Sequence, residues 1–130
     1  MAVDLKDDPA LIAEYERYHE KVWPEILQSL YDSGIEAAEI YRTGTRLVMI
    51  IETNESFSFE KKAIADAEND KVQEWEKLMW KYQQPVPWAR PGVKWTVMHR
   101  VFELGKKETG DLKTGDRILE TGEKAVNSKQ

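Results

Sequence analysis

The sequence predicts an α+β fold in which a four-stranded antiparallel sheet carries helices on one face. A short strand and a long amphipathic helix open the chain, and a β-hairpin follows at residues 35–53. A further helical region then leads into an alternating segment at residues 95–104. This order, β-α-β-β-α-β, usually folds as the ferredoxin-like sandwich. Since the free sheet face needs a cover, we expect a homodimer of the dimeric α/β barrel type.

The composition limits the classes of protein to which the chain can belong. Its 130 residues are one domain's worth, and 41% hydrophobic with 33% charged residues is typical of a soluble globular protein. The net charge of −5 argues against a nucleic-acid partner. The chain has no cysteine, no apolar run long enough to cross a membrane and no signal peptide at its start. We therefore expect a cytoplasmic protein.

The first element is a short strand over Ala2–Lys6, followed by a helix that begins at Asp8-Pro9. Apolar residues then recur at steps of three and four up to Leu30, which indicates an amphipathic helix. Pro24 removes an amide donor and disfavours helical geometry at the residue before it, so the helix should kink or break there. Gly34 is expected to end the element with a left-handed cap.

The next elements form a predicted β-hairpin. Its strands are Ile35–Thr43 and Arg46–Thr53, joined by a turn in which Gly44 accepts a positive φ. The second strand contains a nearly continuous apolar run, Leu47–Ile51, which is typical of a central strand.

The second half predicts two helices, a rigid loop and a strand. The first helix spans Phe57–Ala67, and the second begins with a capping box formed by Asp70 and Gln73. Gln83–Gly92 carries three prolines and is predicted to be a rigid loop. Trp95–Leu104 alternates and is predicted to be the last strand.

The chain divides into one domain over residues 1–104 and a polar extension over residues 105–130. The extension holds a loose Thr-Gly-acidic repeat with few apolar residues between its copies. Such a composition predicts a poorly ordered tail without a catalytic role.

His19 is the main candidate for chemistry, because an imidazole titrates near neutral pH and can both give and take a proton. Tyr15 and Trp23 flank it at helical spacing. A histidine that simply packs on a helix is the more frequent occurrence, and for His99, in the last strand, we expect a half-buried structural role. With two histidines and no cysteine, we expect no metal site.

Four glutamates lie on or near the first helix. They could supply a carboxylate to a site, although on a surface helix such residues mostly form a solvated face. These residues are Glu14, Glu16, Glu20 and Glu25.

Five tryptophans are many for a chain of this length. Aromatic rings stack on the C–H faces of sugars, and they also fill protein cores. Trp75 occupies a core-type position of its helix, whereas Trp80 and Trp88 are less easily assigned to a core.

The segment Tyr15–Glu25 resembles a family signature. Its tyrosine, histidine and Trp-Pro-Glu are spaced as in the Tyr-x-x-x-His-x-x-x-Trp-Pro-Glu motif of the L-rhamnose mutarotases. The likeness continues through Ile40-Tyr41, the apolar hairpin strand, Val72–Trp75 and Val101–Leu104, and it covers about residues 3–104.

The resemblance implies a cofactor-free isomerase that interconverts the α and β anomers of L-rhamnose or a related deoxy-hexose, such as L-fucose. The family's proton-donating histidine falls on His19 and a sugar-binding tyrosine on Tyr15. Of its tandem tryptophans only Trp75 is kept, since Glu76 takes the second place. Ala38 stands where the family has a second sugar-binding tyrosine.

The vacated space needs other side chains to line it. We expect Tyr41, Trp80 or Trp88 to fill it and to reshape the preference among deoxy-hexoses.

Two other functions remain open on the same fold. One is a cofactor-free monooxygenase, which would bind a flat hydrophobic substrate. The other is a sugar-binding module without catalysis.

Overall fold

The computed structural model describes residues 1–105, which form one sheet and four helices. The elements in chain order are β1 Ala2–Leu5, α1 Pro9–Tyr18, α2 Pro24–Ser33, β2 Ile35–Thr43, β3 Arg46–Thr53, α3 Phe59–Ala67, α4 Asp70–Met79 and β4 Gln83–Gln84.

The sheet has the strand order β2-β3-β1-β4, and every pairing in it is antiparallel. The α+β, ferredoxin-like prediction is thereby confirmed. The hairpin is confirmed as well, since Thr43 pairs with Arg46 across a two-residue turn. Gly44 has a φ of 56° in that turn, a conformation that glycine adopts without steric cost.

The core lies between the sheet and the helices. Val3 and Leu5 of β1 have no solvent exposure, and Leu47 of β3 pairs beside them with 1%. Because side chains alternate along a strand, these residues define the helix-facing side of the sheet. They pack on a mixed set of helix and loop residues that includes Tyr15, Ile26, Val72, Trp75, Met79 and Tyr82.

Side-chain caps start three of the helices. The Asp8 carboxylate accepts hydrogen bonds from the amides of Ala10 and Leu11, as predicted. Ser58 caps α3. The capping box predicted at Asp70 is one residue off, because the Asn69 side chain accepts from the amides of Lys71 and Val72 and Asp70 is already helical.

The first amphipathic region is two helices and not one. The predicted break is present, since Pro24 opens α2 and Trp23 is its N-cap residue. However, α1 already ends at Tyr18, with His19 as its C-cap residue. The histidine therefore lies at a helix end, where the backbone turns away and one face of the ring is free of the following helical turn.

The last strand was predicted in the wrong place. Only Thr96 pairs with the sheet, through an isolated antiparallel bridge to Ala2. The edge position beside β1 belongs instead to Gln83–Gln84, which pair with Leu5 and Asp4 inside the segment predicted as a rigid loop. Alternation marks a segment that suits a strand, but a strand also needs a partner.

The predicted tail over residues 105–130 lies outside the described residues, apart from Gly105. Within residues 1–105, no helix combines the length and the apolar character needed to cross a membrane.

Candidate active site

A shallow cleft of about 180 Å³ opens between α1 and the hairpin. Tyr15, Glu16, His19 and Glu20 line it from the helix side, and Ile40, Arg42 and Leu47 line it from the sheet side. The helix side follows from the spacing of three and four residues along α1 and its end, which places these side chains on one face. The strand side follows from alternation along β2.

The imidazole of His19 is held in one tautomer. Its Nδ1 lies 2.9 Å from the carbonyl oxygen of Tyr15. Because a carbonyl oxygen only accepts hydrogen bonds, this contact requires a proton on Nδ1. The other ring nitrogen, Nε2, therefore carries the lone pair when the ring is neutral. Burial lowers the pKa of His19 below its usual 6.5, against a smaller opposing effect of the Tyr15 carbonyl, so the neutral form dominates at pH 7.

The phenol of Tyr15 is buried and remains protonated. Burial raises its pKa to about 12, the hydrogen bond from Gln83 opposes that rise, and the nearby Glu76 carboxylate adds to it. Gln83 Nε2 donates to the Tyr15 hydroxyl at 3.3 Å. Since that donation occupies an oxygen lone pair, the Tyr15 proton is available for another acceptor.

Gln83 is itself buried, with 3% exposure. Its Oε1 atom has no hydrogen-bond partner within residues 1–105. A buried amide oxygen without a partner is costly. Gln83 is thus a polar group placed beside Tyr15 in an otherwise apolar core.

Aromatic rings pack against the imidazole of His19. The centroid of Tyr15 lies 4.3 Å from that of His19, and Trp75 meets the imidazole edge-on at 5.6 Å. Trp23 in turn packs on Trp75 at 5.0 Å. Trp75, predicted to position the sugar, lies against His19 as a packing partner of the ring and is not among the residues that line the cleft. These contacts fix the orientation of the imidazole.

An ion pair crosses the cleft from α1 to β2. Arg42 Nε donates to Glu16 Oε2 at 2.6 Å, and Arg42 Nη1 donates to the carbonyl oxygen of Gly44 at 2.7 Å. Glu20 adds a second carboxylate to the lining. Glu16 and Glu20 are both solvent-exposed, and they also line the cleft, so the structure places them where they could supply a carboxylate to a site.

Glu14, another of the four predicted glutamates, has a structural contact. Glu14 accepts a hydrogen bond from the buried Tyr82 hydroxyl at 2.9 Å.

His99 is exposed and not half-buried, because the segment that carries it is not paired in the sheet.

Three of the predicted sugar-binding residues are not brought to the cleft. Tyr41 pairs with Val48 and so points to the opposite sheet face from Leu47; it is 56% exposed and donates to Glu39. Trp88 lies against the Arg46 guanidinium, 4.8 Å from its ring centroid, on that same opposite face. Strand alternation explains both corrections.

Trp80 also lies away from the cleft. It is the C-cap residue of α4, and the Lys94 ammonium lies 4.8 Å from its ring centroid. Lys94 also pairs with Glu76, the residue in the place of the family's second tryptophan. That position therefore forms an ion pair beside Trp80 and does not present an aromatic face to the cleft.

Three residues of the site had no predicted role, namely Arg42, Ile40 and Gln83. A signal for the first two was present, because Ala38, Ile40 and Arg42 alternate on one face of a predicted strand whose register places them opposite Ile51, Met49 and Leu47. Gln83 carried no signal, since its segment was predicted as a loop.

Comparison with known proteins gives consistent results. The sequence profile described as L-rhamnose mutarotase matches residues 1–104. An L-fucose mutarotase from Xanthomonas campestris pv. campestris is 45% identical over 106 residues, which are 80% of this chain and 85% of that protein. A UPF0734 protein of Dictyostelium discoideum is 36% identical over 79% of this chain and 86% of its own length. An L-rhamnose mutarotase from Acidiphilium cryptum is 44% identical over a shorter stretch, 32% of this chain and 39% of that protein.

Proposed function

From the premise that this chain belongs to the L-rhamnose mutarotase family, and is thus a sugar mutarotase and an isomerase, we propose that it interconverts the α and β anomers of a 6-deoxy-L-hexose with His19 as the acid–base group. L-fucose is the proposed preferred sugar, because a relative that is 45% identical over 80% of this chain is named an L-fucose mutarotase. L-rhamnose is the second candidate, by the family's name.

The reaction needs two proton transfers. The anomeric hydroxyl loses its proton, the ring oxygen gains one, and the bond between the anomeric carbon and the ring oxygen breaks. The open-chain aldehyde then rotates about its C1–C2 bond. Ring closure on the other face of the carbonyl reverses both transfers and gives the second anomer.

One observation carries the assignment of the base, namely the contact between His19 Nδ1 and the Tyr15 carbonyl. It supports a neutral imidazole that takes the anomeric proton at Nε2 and then, as an imidazolium, gives that proton to the ring oxygen as its bond to the anomeric carbon breaks. Because the reverse reaction passes through the same aldehyde, one histidine serves both directions. The protonated Tyr15 phenol is suited to donate a hydrogen bond to the ring oxygen as negative charge develops there.

The charge of the cleft favours a neutral sugar. Two carboxylates, Glu16 and Glu20, share the lining with one guanidinium, Arg42. With His19 neutral, an anionic sugar would meet a surplus of negative charge.

Anomer exchange followed by saturation-transfer NMR tests the proposal. We expect the protein to accelerate exchange of L-fucose most, L-rhamnose less, and the enantiomer D-fucose not at all. Absence of acceleration with both L-sugars would contradict the activity. Binding of L-fucose without acceleration would indicate a binding module, and oxygen uptake with quinone-like compounds would indicate a monooxygenase.

The proposed partner is a second copy of the chain. The sheet face opposite the helices exposes Tyr41, with Val48 and Ile50 half-buried beside it. The segment after Thr96 exposes four large apolar side chains, Val97 at 46%, Val101 at 89%, Phe102 at 76% and Leu104 at 85%. An apolar segment with strand-like alternation and no strand partner after Thr96 within residues 1–105 suits an interface between two copies.

We also propose that the protein works in the cytoplasm. The lack of cysteine in all 130 residues suits a reducing compartment, where disulfides contribute nothing to stability.

A further inference from the structure

We propose that Arg42, oriented by Glu16, is a specificity-determining residue that binds hydroxyl groups of the sugar, an inference that rests on the proposed function. Arg42 is then a polar sugar-binding group on the strand side of the cleft, opposite His19. The two residues that match the family signature, Tyr15 and His19, both lie on the helix side of the cleft.

The position of Arg42 follows from the register of the hairpin. Arg42 pairs with Leu47, whose side chain belongs to the core beneath the cleft. Ala38 and Ile40 precede Arg42 on the same face and pair with Ile51 and Met49. The strand side of the cleft is lined by the aliphatic chains of Ile40 and Leu47 and by the Arg42 guanidinium, and of these only the guanidinium can form hydrogen bonds.

The geometry of Arg42 is fixed at two points. Nε donates to Glu16 Oε2, and Nη1 donates to the Gly44 carbonyl. A guanidinium has five N–H donors in one plane, and these two contacts use two of them. The remaining donors lie in a plane set by α1 and the hairpin turn, so they are ordered before a sugar arrives.

Arg42 and Glu16 together offer both kinds of partner that a hydroxyl group needs. The guanidinium donates hydrogen bonds, and the carboxylate accepts them. Two neighbouring sugar hydroxyls can therefore bind as a pair, one accepting from Arg42 and the other donating to Glu16. L-fucose and L-rhamnose differ in the configuration of ring hydroxyls, so a fixed donor and acceptor on one wall discriminates between them.

The ion pair is poorly explained as a stabilising contact. The side chains of Arg42 and Glu16 are 37% and 52% exposed, and ion pairs that exposed contribute little to stability. Asp4 and Arg46 form the more buried pair of the same sheet, with side-chain exposures of 10% and 39%. The pair of Arg42 and Glu16, by contrast, lines the cleft that also contains His19.

The test compares wild type, Arg42→Met and Arg42→Lys in the anomer-exchange assay with L-fucose and L-rhamnose. We expect Arg42→Met to raise KM for the preferred sugar roughly 10–100-fold, the effect of losing a charge-assisted hydrogen bond, with a much smaller change in kcat. The ratio of kcat/KM between the two sugars should fall towards one. Arg42→Lys should recover part of the affinity but not the ratio, since an ammonium lacks the planar fork.

Lys62→Met is the matched control. It also removes a cation from an ion pair, that of Lys62 with Asp66 on α3, which is not part of the cleft. Its kinetic constants should equal those of wild type. The melting temperature of Arg42→Met should likewise stay close to wild type, so that a rise in KM is not a loss of fold.

A charge swap distinguishes sugar binding by Arg42 from a purely structural role of the ion pair. Glu16→Arg combined with Arg42→Glu restores an ion pair across the cleft but moves the donors to α1. A raised KM in the swapped protein supports the proposal, whereas a wild-type KM and sugar preference would overturn it.

The two proposals fail in different ways. Wild type without anomer exchange contradicts the proposed function, while an active wild type with an unchanged KM in Arg42→Met contradicts the role of Arg42. Titration of ¹⁵N-labelled protein with L-fucose gives the dissociation constant without turnover. An equal dissociation constant in wild type and Arg42→Met would overturn the inference even for an inactive protein.

Discussion

At the scale of single residues, the backbone contact of His19 decides what the imidazole can do. A histidine at the end of a helix commonly donates to a carbonyl of the last turn, and here that donation leaves Nε2 as the acceptor. The helix C-terminus favours a positive charge and burial disfavours it. Burial is the larger effect, so the pKa of His19 falls.

We predict that His19→Asn lowers the anomer-exchange rate by about 10²–10⁴-fold, the usual contribution of a general acid–base group. The asparagine amide keeps a donor for the Tyr15 carbonyl, so the helix end should remain intact. His99→Asn is the control, because His99 is exposed and lies outside the cleft. Full activity of His19→Asn would contradict the assignment.

The rate of wild type should also depend on pH in one direction. Activity follows the neutral imidazole, so it should be constant at neutral pH and fall on acidification, with a midpoint below 6.5. The unfolded chain binds this proton more readily than the folded one, so stability too decreases as the pH falls below 6.5 and levels off under the folded-state pKa. An NMR titration of the ring, with His99→Asn to assign the signals, measures the midpoint. A midpoint above 6.5 would contradict the predicted pH dependence.

At the scale of elements, the junction between α2 and β2 is the most constrained turn. Gly34 is buried, has a φ of 104°, and its carbonyl accepts from the Asn54 amide at 2.8 Å. A Cβ there would lie 2.6 Å from Asn54 Oδ1 and 3.2 Å from Phe57 Cβ. The turn therefore needs glycine for both conformation and space.

We predict that Gly34→Ala lowers the free energy of unfolding by about 2–4 kcal/mol, since strain and a steric clash add. Gly44→Ala should cost about 1 kcal/mol, because its φ is also positive but nothing lies within 4 Å of the added methyl group. Urea unfolding monitored by circular dichroism measures both values. Equal losses in the two variants would contradict this prediction.

The sequence predicted these elements well where the signal was local. The Asp8 cap, the Gly34 cap and the hairpin turn each depend on a few adjacent residues, and the structure has all three. The site could be predicted only in part, because Tyr41 and Arg42 are neighbours in sequence yet lie on opposite faces of β2. The choice between them depends on register, which is a property of the folded sheet.

At the scale of the whole molecule, the misplaced last strand bears on assembly. Trp95 packs on both core clusters, yet the residues after Thr96 leave the sheet and expose their apolar side chains. The proposed homodimer would explain why this strand-like segment has no strand partner among the first 105 residues. No short-range feature of the sequence distinguishes a partner in the same chain from one in a second copy.

We predict that the protein elutes with twice the chain mass in size-exclusion chromatography with light scattering. Phe102→Asp should shift it to the monomer mass, because a charge would be buried at the interface. Ile64→Asp is the control, since Ile64 is 63% exposed on α3 and lies outside the proposed interface. A monomeric wild type, or a Phe102→Asp variant that remains dimeric, would contradict the proposed arrangement.

The division of the hairpin between two tasks has a consequence for how the enzyme can diversify. Buried residues of β3 support the fold, whereas Ile40 and Arg42 on the edge strand are exposed and line the cleft, and Ala38 is exposed on the same face. Replacements at these three positions leave the core volume unchanged. Under the proposed roles of His19 and Arg42, natural selection can alter the range of sugars through β2 while the acid–base group at the end of α1 stays constant, at little cost in stability.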